Sequence, residues 1–193
     1  MSDNFKLQPI QNWLKKNNWF FYDHQLETLN QSINGYDILL IAPTGGGKTL
    51  AGFLPSLHDL INNNSPENKL HTLYISPLKA LTIDVHRNLT NPIEDQNLDI
   101  RVETRTGDTS SYKKNRQKNV PPHMLMTTPE SLALLLADIK AKEYFKSLRY
   151  LIIDEIHSLV NTKRGDLLSL NLSRLDTISP NCKRIGLSAT IKN

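Results

Sequence analysis

The sequence predicts an α/β domain of three layers, with a mostly parallel β-sheet covered by helices on both faces. Two observations carry this. Segments of strand character alternate with segments of helical periodicity, the order in which parallel sheets are built. The strand segments are also apolar throughout, so both faces of the sheet must be covered. A third observation places the chemistry. The segments rich in Gly, Pro, Lys, Thr and acids follow strands, and in such folds ligands bind at the carboxyl ends of strands.

Residues 5–17 and 23–34 read as two short helices, the second stopped at Asn34-Gly35. "DILLIA" (37–42) is a buried strand, and after a glycine run a helix extends from Lys48 to Asp59. "NNNSPENK" is a polar break, with disorder expected over 62–68. "LHTLYIS" is the next strand and "PLKALTIDVHRNLT" a helix. "IRVETR" is a strand, "GDTSSYKKNRQKN" a loop and a polar, basic helix, and "HMLMTT" a strand. "PESLALLLAD" is a helix with Pro at its first position, followed by a short helix over about 141–147. "RYLIIDE" is a strand, "RGDLLSLNLSRLDTI" a helix and "KRIGLSAT" a last strand.

A chain of 193 residues is long enough to bury the core of one domain. The formal charge of +4 allows a polyanionic partner without requiring one. Tyr112 to Lys118 is a local basic cluster that reads as a solvated helix face, with DNA contact as the alternative. The single cysteine, Cys182, forms no internal disulfide and fits a reducing compartment. No apolar run approaches the roughly 20 residues of a membrane helix, and the first residues lack a signal-peptide pattern. These features point to a cytoplasmic protein and away from membrane-spanning and disulfide-scaffold classes.

"APTGGGKT" (42–49) lies between the first apolar strand and a helix. Glycines let backbone N–H groups converge on a phosphate, and a helix N-terminus adds partial positive charge. In that setting Lys48 reaches the β- and γ-phosphates and the Thr49 hydroxyl binds Mg²⁺, while Thr44, Gly45, Gly46 and Gly47 form the cradle. A glycine-rich hairpin or linker is the bland alternative. "LIIDEIH" (151–157) is an apolar strand ending in two acids. Asp154 can hold Mg²⁺ and Glu155 can orient and deprotonate a water. A lone "DE" also fits acids that cap the following helix. The phosphate loop makes that reading the weaker one, and "ENKLHT" lacks the Asp of a guanine signature. ATP hydrolysis by an activated water is the chemistry favoured.

At "DEIH" the sequence resembles the superfamily 2 DExH-box helicases. "APTGGGKT" is similar to motif I, "SPLKAL" to motif Ia, "TTPESL" to motif Ib, "DEIH" to motif II and "LSAT" to motif III; "TRTGDT" is similar to the glycine-containing motif after Ia. Gln25 stands where the family's adenine-reading glutamine stands. "YISPLKAL", "RTGDT", "TTPESLALLL", "TKRGD" and "IGLSAT" resemble the Lhr-type, or large helicase-related, group, above all its bacterial ligase-associated DNA damage response branch. The resemblance covers about 19–191. It implies N-terminal helices with the glutamine over 1–35 and a first RecA-like domain over 36–193, the whole forming one structural unit.

It further implies that Gln25 reads adenine, with Phe20 or Tyr22 stacking, and that ATP and Mg²⁺ are held by Lys48, Thr49 and Asp154, with Glu155 as general base. His157, Ser188, Ala189 and Thr190 would couple hydrolysis to nucleic-acid binding. Pro77, Lys79, Arg105, Thr106, Gly107, Thr128 and Pro129 would face the backbone of a single-stranded DNA track, with Arg164 as a further contact. The turns "SPLKAL" and "TTPESL" each offer helix N-terminal N–H groups to a phosphate, a mode that reads backbone and leaves RNA open. Lys79 and Arg105 taken alone also fit solvated charges. Trp13 and Trp19 read as packing of the first helix, with base stacking as the alternative.

In the family a second RecA-like domain brings arginine fingers. The sequence stops at Asn193, just after motif III, and is expected to be a fragment, a truncated product or one part of a split machine. Alone it is expected to bind ATP–Mg²⁺ weakly, hydrolyse it slowly and leave duplexes intact. A binding module without turnover is the competing expectation.

Overall fold

The computed structural model describes residues 7–63 and 68–189. Its centre is a six-stranded parallel sheet built from β1 (Ile38–Ile41), β2 (Thr72–Ile75), β3 (Val102–Arg105), β4 (Met124–Thr127), β5 (Tyr150–Ile153) and β6 (Lys183–Ser188). The spatial order is β1-β6-β5-β2-β4-β3, and every neighbouring pair runs parallel. β2, β4 and β5 are buried along their whole length, as uniformly apolar strands must be.

Side chains alternate across the pleat, so the strands feed two separate cores. Tyr74, Met124, Met126, Tyr150, Ile152, Ile185 and Leu187 pack on one face. They meet residues of α1 (Gln8–Lys16), α2 (Asp23–Ile33), α3 (Lys48–Asn62) and α4 (Lys79–Asp95). Leu73, Ile75, Leu125, Leu151 and Ile153 point the other way. They meet α6 (Pro129–Leu136), α7 (Ala141–Phe145) and α8 (Lys163–Ile178). The three layers expected are the three observed. Leu7, Ile10, Leu14 and Leu29 lie in the first cluster, so α1 and α2 share the core of the sheet. Trp13 packs against that cluster, which favours the packing role for it, and meets edge-on at 5.4 Å the ring of Trp19, which is itself 55% exposed.

The strands are a residue or two shorter than their apolar runs. Two helices contain proline. Pro55 sits inside α3 and Pro92 inside α4, where an interior proline costs roughly 3 kcal/mol of helix stability. Both are buried, and apolar burial on the flanking turns offsets the lost hydrogen bond. α4 therefore runs five residues past the expected end at Thr90, because Pro92 and Ile93 reach the core. The break expected over 62–68 falls in large part on 64–67, outside the described residues.

α5 (Ser111–Asn119) is the basic helix, and it is tied down, not merely solvated. Arg116 pairs with Glu103 at 2.6 Å, Lys118 with Asp138 at 2.5 Å, and Gln117 is fully buried. At the amino end of the sheet, Asp59 of α3 accepts from Asn63 (2.6 Å) and Arg149 (3.1 Å) and lies 2.8 Å from His71 Nε2.

Candidate nucleotide and nucleic-acid site

Because all six strands are parallel, every loop singled out in the sequence lands on one edge of the sheet. The strand order then sorts them. The ends of β1, β6 and β5 are adjacent and carry "APTGGGKT", "LSAT" and "DEIH". The ends of β2, β4 and β3 are adjacent and carry "SPLKAL", "TTPESL" and "TRTGDT".

The glycine loop shows why its residues are glycines. Gly45 (φ +80°) and Gly47 (φ +71°) adopt left-handed backbone that other residues reach only at a cost. A Cβ on Gly47 would also stand 2.6 Å from Gln25 Nε2 and 3.2 Å from the Tyr22 ring. A Cβ on Gly46 would stand 3.0 Å from the Pro43 carbonyl. Gly47 caps α3 without a side chain, so the first amides of that helix remain available to an anion. Lys48 is buried and donates to the Ala42 (2.8 Å) and Pro43 (2.9 Å) carbonyls, which aims its ammonium across the loop. Thr44 and Gly45 are exposed at the tip. The Thr49 hydroxyl has no hydrogen-bond partner among the described residues.

Gln25 is buried and accepts from the Tyr22 N–H (2.9 Å) while donating to the Gly47 carbonyl (3.1 Å). It caps α2 and fastens that helix to the phosphate loop with one amide. Both amide groups are thus engaged within the chain. Tyr22 stacks on His24 at 5.5 Å, and Phe20 is 80% exposed nearby in sequence.

Asp154 is buried at the end of β5. It accepts from the Tyr74 hydroxyl (2.6 Å) and from the Glu155 N–H (2.8 Å). Burial, then the Asp154 charge, push the Tyr74 hydroxyl far above its ordinary pKa, so it stays a donor. Tyr74 was not anticipated as a site residue. Its signal in the sequence is a tyrosine inside an otherwise apolar strand, whose hydroxyl needs a partner once buried.

Glu155 has left-handed backbone (φ 51°, ψ 41°), and the chain then enters a 3-10 turn, Ile156–Ser158. The turn brings His157 Nε2 to 3.2 Å from Glu155 Oε2. His157 Nδ1 lies 3.2 Å from Ser188 Oγ and accepts from the Ala189 N–H at 3.3 Å. One imidazole therefore joins the acidic turn to the end of β6. Thr190 lies outside the described residues.

The second half of the edge corrects part of the expectation. Arg105 was expected to face a nucleic-acid backbone. It is 6% exposed, and its guanidinium donates inward to the Lys114 carbonyl (2.9 Å) and Gln117 Oε1 (3.4 Å). The side chain belongs to the face of β3 that α5 covers, and burial lowers its pKa. Pro77, Thr106, Thr128 and Pro129 are buried as well, so their side chains shape the turns. Thr128 caps α6 by accepting from the Ser131 N–H. Lys79 and Gly107 are exposed, with Lys79 paired to Asp108 at 2.9 Å. Arg164 holds Glu130 with both arms, Nε to Oε1 at 2.5 Å and Nη2 to Oε2 at 3.1 Å.

Strand, glycine loop, lysine-threonine helix start and acidic strand end together make a nucleotide-phosphate site of the P-loop class. The chain matches the DEAD/DEAH box helicase family over residues 22–193 and belongs to it. It is 42% identical over 197 residues to the ATP-dependent helicase Lhr-Core of Methanocaldococcus jannaschii, covering 95% of this chain and 23% of that protein. It is 40% identical over 196 residues to the ATP-dependent helicase Lhr-Core protein 2 of Thermococcus barophilus, again covering 95% and 23%. Its fold matches the Mycobacterium smegmatis helicase Lhr bound to ssDNA and AMP-PNP with a TM-score of 0.86 and 38% identity, covering 98% of this chain and 25% of that one. The chain thus spans about a quarter of the relatives it matches. Among the described residues no helix is long and apolar enough to cross a membrane.

Proposed function

We propose that this chain is the ATP-binding and ATP-hydrolysing motor domain of an Lhr-like helicase that moves along nucleic acid, with single-stranded DNA as the track and DNA repair as the setting. The observation that carries the reading is the His157 bridge. It links the acid expected to activate water, Glu155, to the β6 end that lies between the phosphate loop and the acidic strand.

The residues present fit ATP and Mg²⁺. The loop carries uncapped helix amides, glycines at positions a Cβ would fill, a lysine aimed across it and a hydroxyl with no partner among the described residues. Asp154 supplies a carboxylate already oriented by two donors. Bound ATP–Mg²⁺ supplies the phosphoanhydride and the metal charge that eases its cleavage. Lys48 would hold phosphate oxygens, Thr49 and Asp154 would hold the metal, and Gln25 with Tyr22 or Phe20 would flank the base. Glu155 would take the proton of an attacking water, and His157 would keep that carboxylate in place.

The track would lie across the ends of β2, β4 and β3. Lys79, Gly107 and the first amides of α4 are the groups there that can meet a phosphate backbone. Such contacts do not distinguish sugars, so RNA is the second arm of the test. A fluorescent ATP analogue is titrated with wild type and Lys48→Ala, and equimolar ssDNA and ssRNA are compared by filter binding at stated salt. The reading expects at least a tenfold loss of analogue affinity in Lys48→Ala, and ssDNA retained over ssRNA. Unchanged analogue affinity would sink it.

A further inference from the structure

We infer that Arg164 is a positioning residue which, paired with Glu130, clamps the first turn of α8 to the first turn of α6 and so holds the turn bearing Glu155 and His157. The inference rests on the motor-domain reading for its functional meaning, but the clamp is a property of the fold.

The contacts form an unbroken path. The 3-10 turn after Glu155 ends at Leu159, which is 4% exposed. The Leu159 carbonyl accepts from the Thr162 N–H (3.2 Å) and from the Thr162 hydroxyl (2.8 Å). Thr162 is also the cap of α8, accepting from the Gly165 N–H at 3.1 Å. Gly165 presses against the same carbonyl so closely that a Cβ there would lie 2.1 Å from it. The start of α8 is thereby fastened to the acidic turn.

The next link crosses to α6. Arg164, beside Gly165, holds Glu130 through two hydrogen bonds, and Glu130 immediately follows Pro129 at the start of α6. Two turns further along α8, Asn171 is buried and donates to the Pro129 carbonyl at 3.3 Å. The pairing holds the Glu130 carboxyl below its usual range and raises the Arg164 guanidinium above its own. Two planar groups joined at two points fix an orientation as well as a distance, which a lysine does not do. The "TTPESL" turn is thus linked to the turn bearing Glu155 by contiguous contacts, with the partly exposed Arg164–Glu130 pair as the link between α6 and α8.

The path gives "TKRG" a task that a phosphate contact does not explain. A phosphate-binding arginine needs no carboxylate partner on α6, and the glycine after it needs no closeness to Leu159.

The test uses the 193-residue chain as wild type, Arg164→Ala, Glu130→Ala, the double variant, and the charge exchange Arg164→Glu with Glu130→Arg. Amide hydrogen exchange is read at Ser158, Leu159 and Val160, whose N–H groups bond within the turn. Affinity for a non-hydrolysable ATP analogue is read with and without an ssDNA oligonucleotide. Each single variant is expected to speed exchange at 158–160 about tenfold, the double to be no worse than the worse single, and the charge exchange to restore protection. The factor by which ssDNA changes analogue affinity should shrink toward one in the single variants and return in the exchange. Acceleration confined to the first turns of α6 and α8 overturns the clamp. So does a loss of ssDNA binding in Arg164→Ala that Glu130→Ala does not share. If the wild type binds no ssDNA, the nucleic-acid part of the motor reading fails, while exchange at 158–160 still decides the clamp.

Discussion

Glu155 shows how much a single residue carries. Its left-handed backbone costs roughly 1–3 kcal/mol for a residue with a side chain, and the native contacts around it must supply that. The kink places its carboxylate against His157. Glu155→Gln keeps the size and removes the base. It is expected to leave ATP-analogue affinity within about threefold while lowering any phosphate release by roughly 10²-fold or more, read in a single-turnover assay. Tyr74→Phe removes one donor to Asp154 and leaves a buried carboxylate oxygen unsatisfied. The expected cost is about 1–3 kcal/mol of stability without nucleotide, measured by urea unfolding. Gly47→Ala meets both a positive φ and the Gln25 amide, so it should weaken nucleotide binding at least tenfold. Gln25 is singled out in the sequence by its place upstream of the glycine loop. Its actual tie to Gly47 is not legible there, because that bond spans 22 residues that only folding brings together.

At the scale of elements, the long periodic helices and apolar strands were readable because burial on one or two faces leaves a period in the sequence. Two features were not. The 3-10 turn after Glu155 has no period, being three residues long. The extension of α4 past Pro92 opposes local preference and is decided by burial of Pro92 and Ile93. The inward course of Arg105 was hidden for a related reason: a strand-end arginine looks free until a helix covers that face, as α5 does. The start of α8 makes a sharp prediction. Gly165→Ala drives a methyl into the Leu159 carbonyl and should cost at least about 2 kcal/mol in urea unfolding, with the loss concentrated around 155–165 in hydrogen exchange.

For the molecule as a whole, two ends of one sheet do different work. The carboxyl edge gathers the site, and the amino edge is secured by Asp59, His71 and Arg149. Burial raises the Asp59 pKa, but hydrogen bonds from His71 and Asn63 and the Arg149 charge outweigh it and hold the carboxyl below its ordinary value. The folded state therefore binds that proton less readily than the unfolded chain. The stabilisation is full above about pH 4 and is lost as pH falls below it. Asp59→Asn should flatten this acid limb of stability and cost about 1–3 kcal/mol at neutral pH, since Asp59 is buried and its hydrogen bonds with His71 and Asn63 are disturbed. Unfolding midpoints from pH 3 to 7 check both.

The sequence alone determined the alternation of strands and helices, the covered sheet, the phosphate loop and the two acids that answer it. These are local: a period, a glycine run, a charge at a strand end. Tertiary structure alone decided the strand order, which puts β6 between the loop and the acids and lets His157 reach Ser188. It also decided that Arg105 turns inward and that Arg164 meets Glu130, 34 positions away. No local pattern encodes such pairings, because they depend on which faces remain open once the two apolar cores have closed.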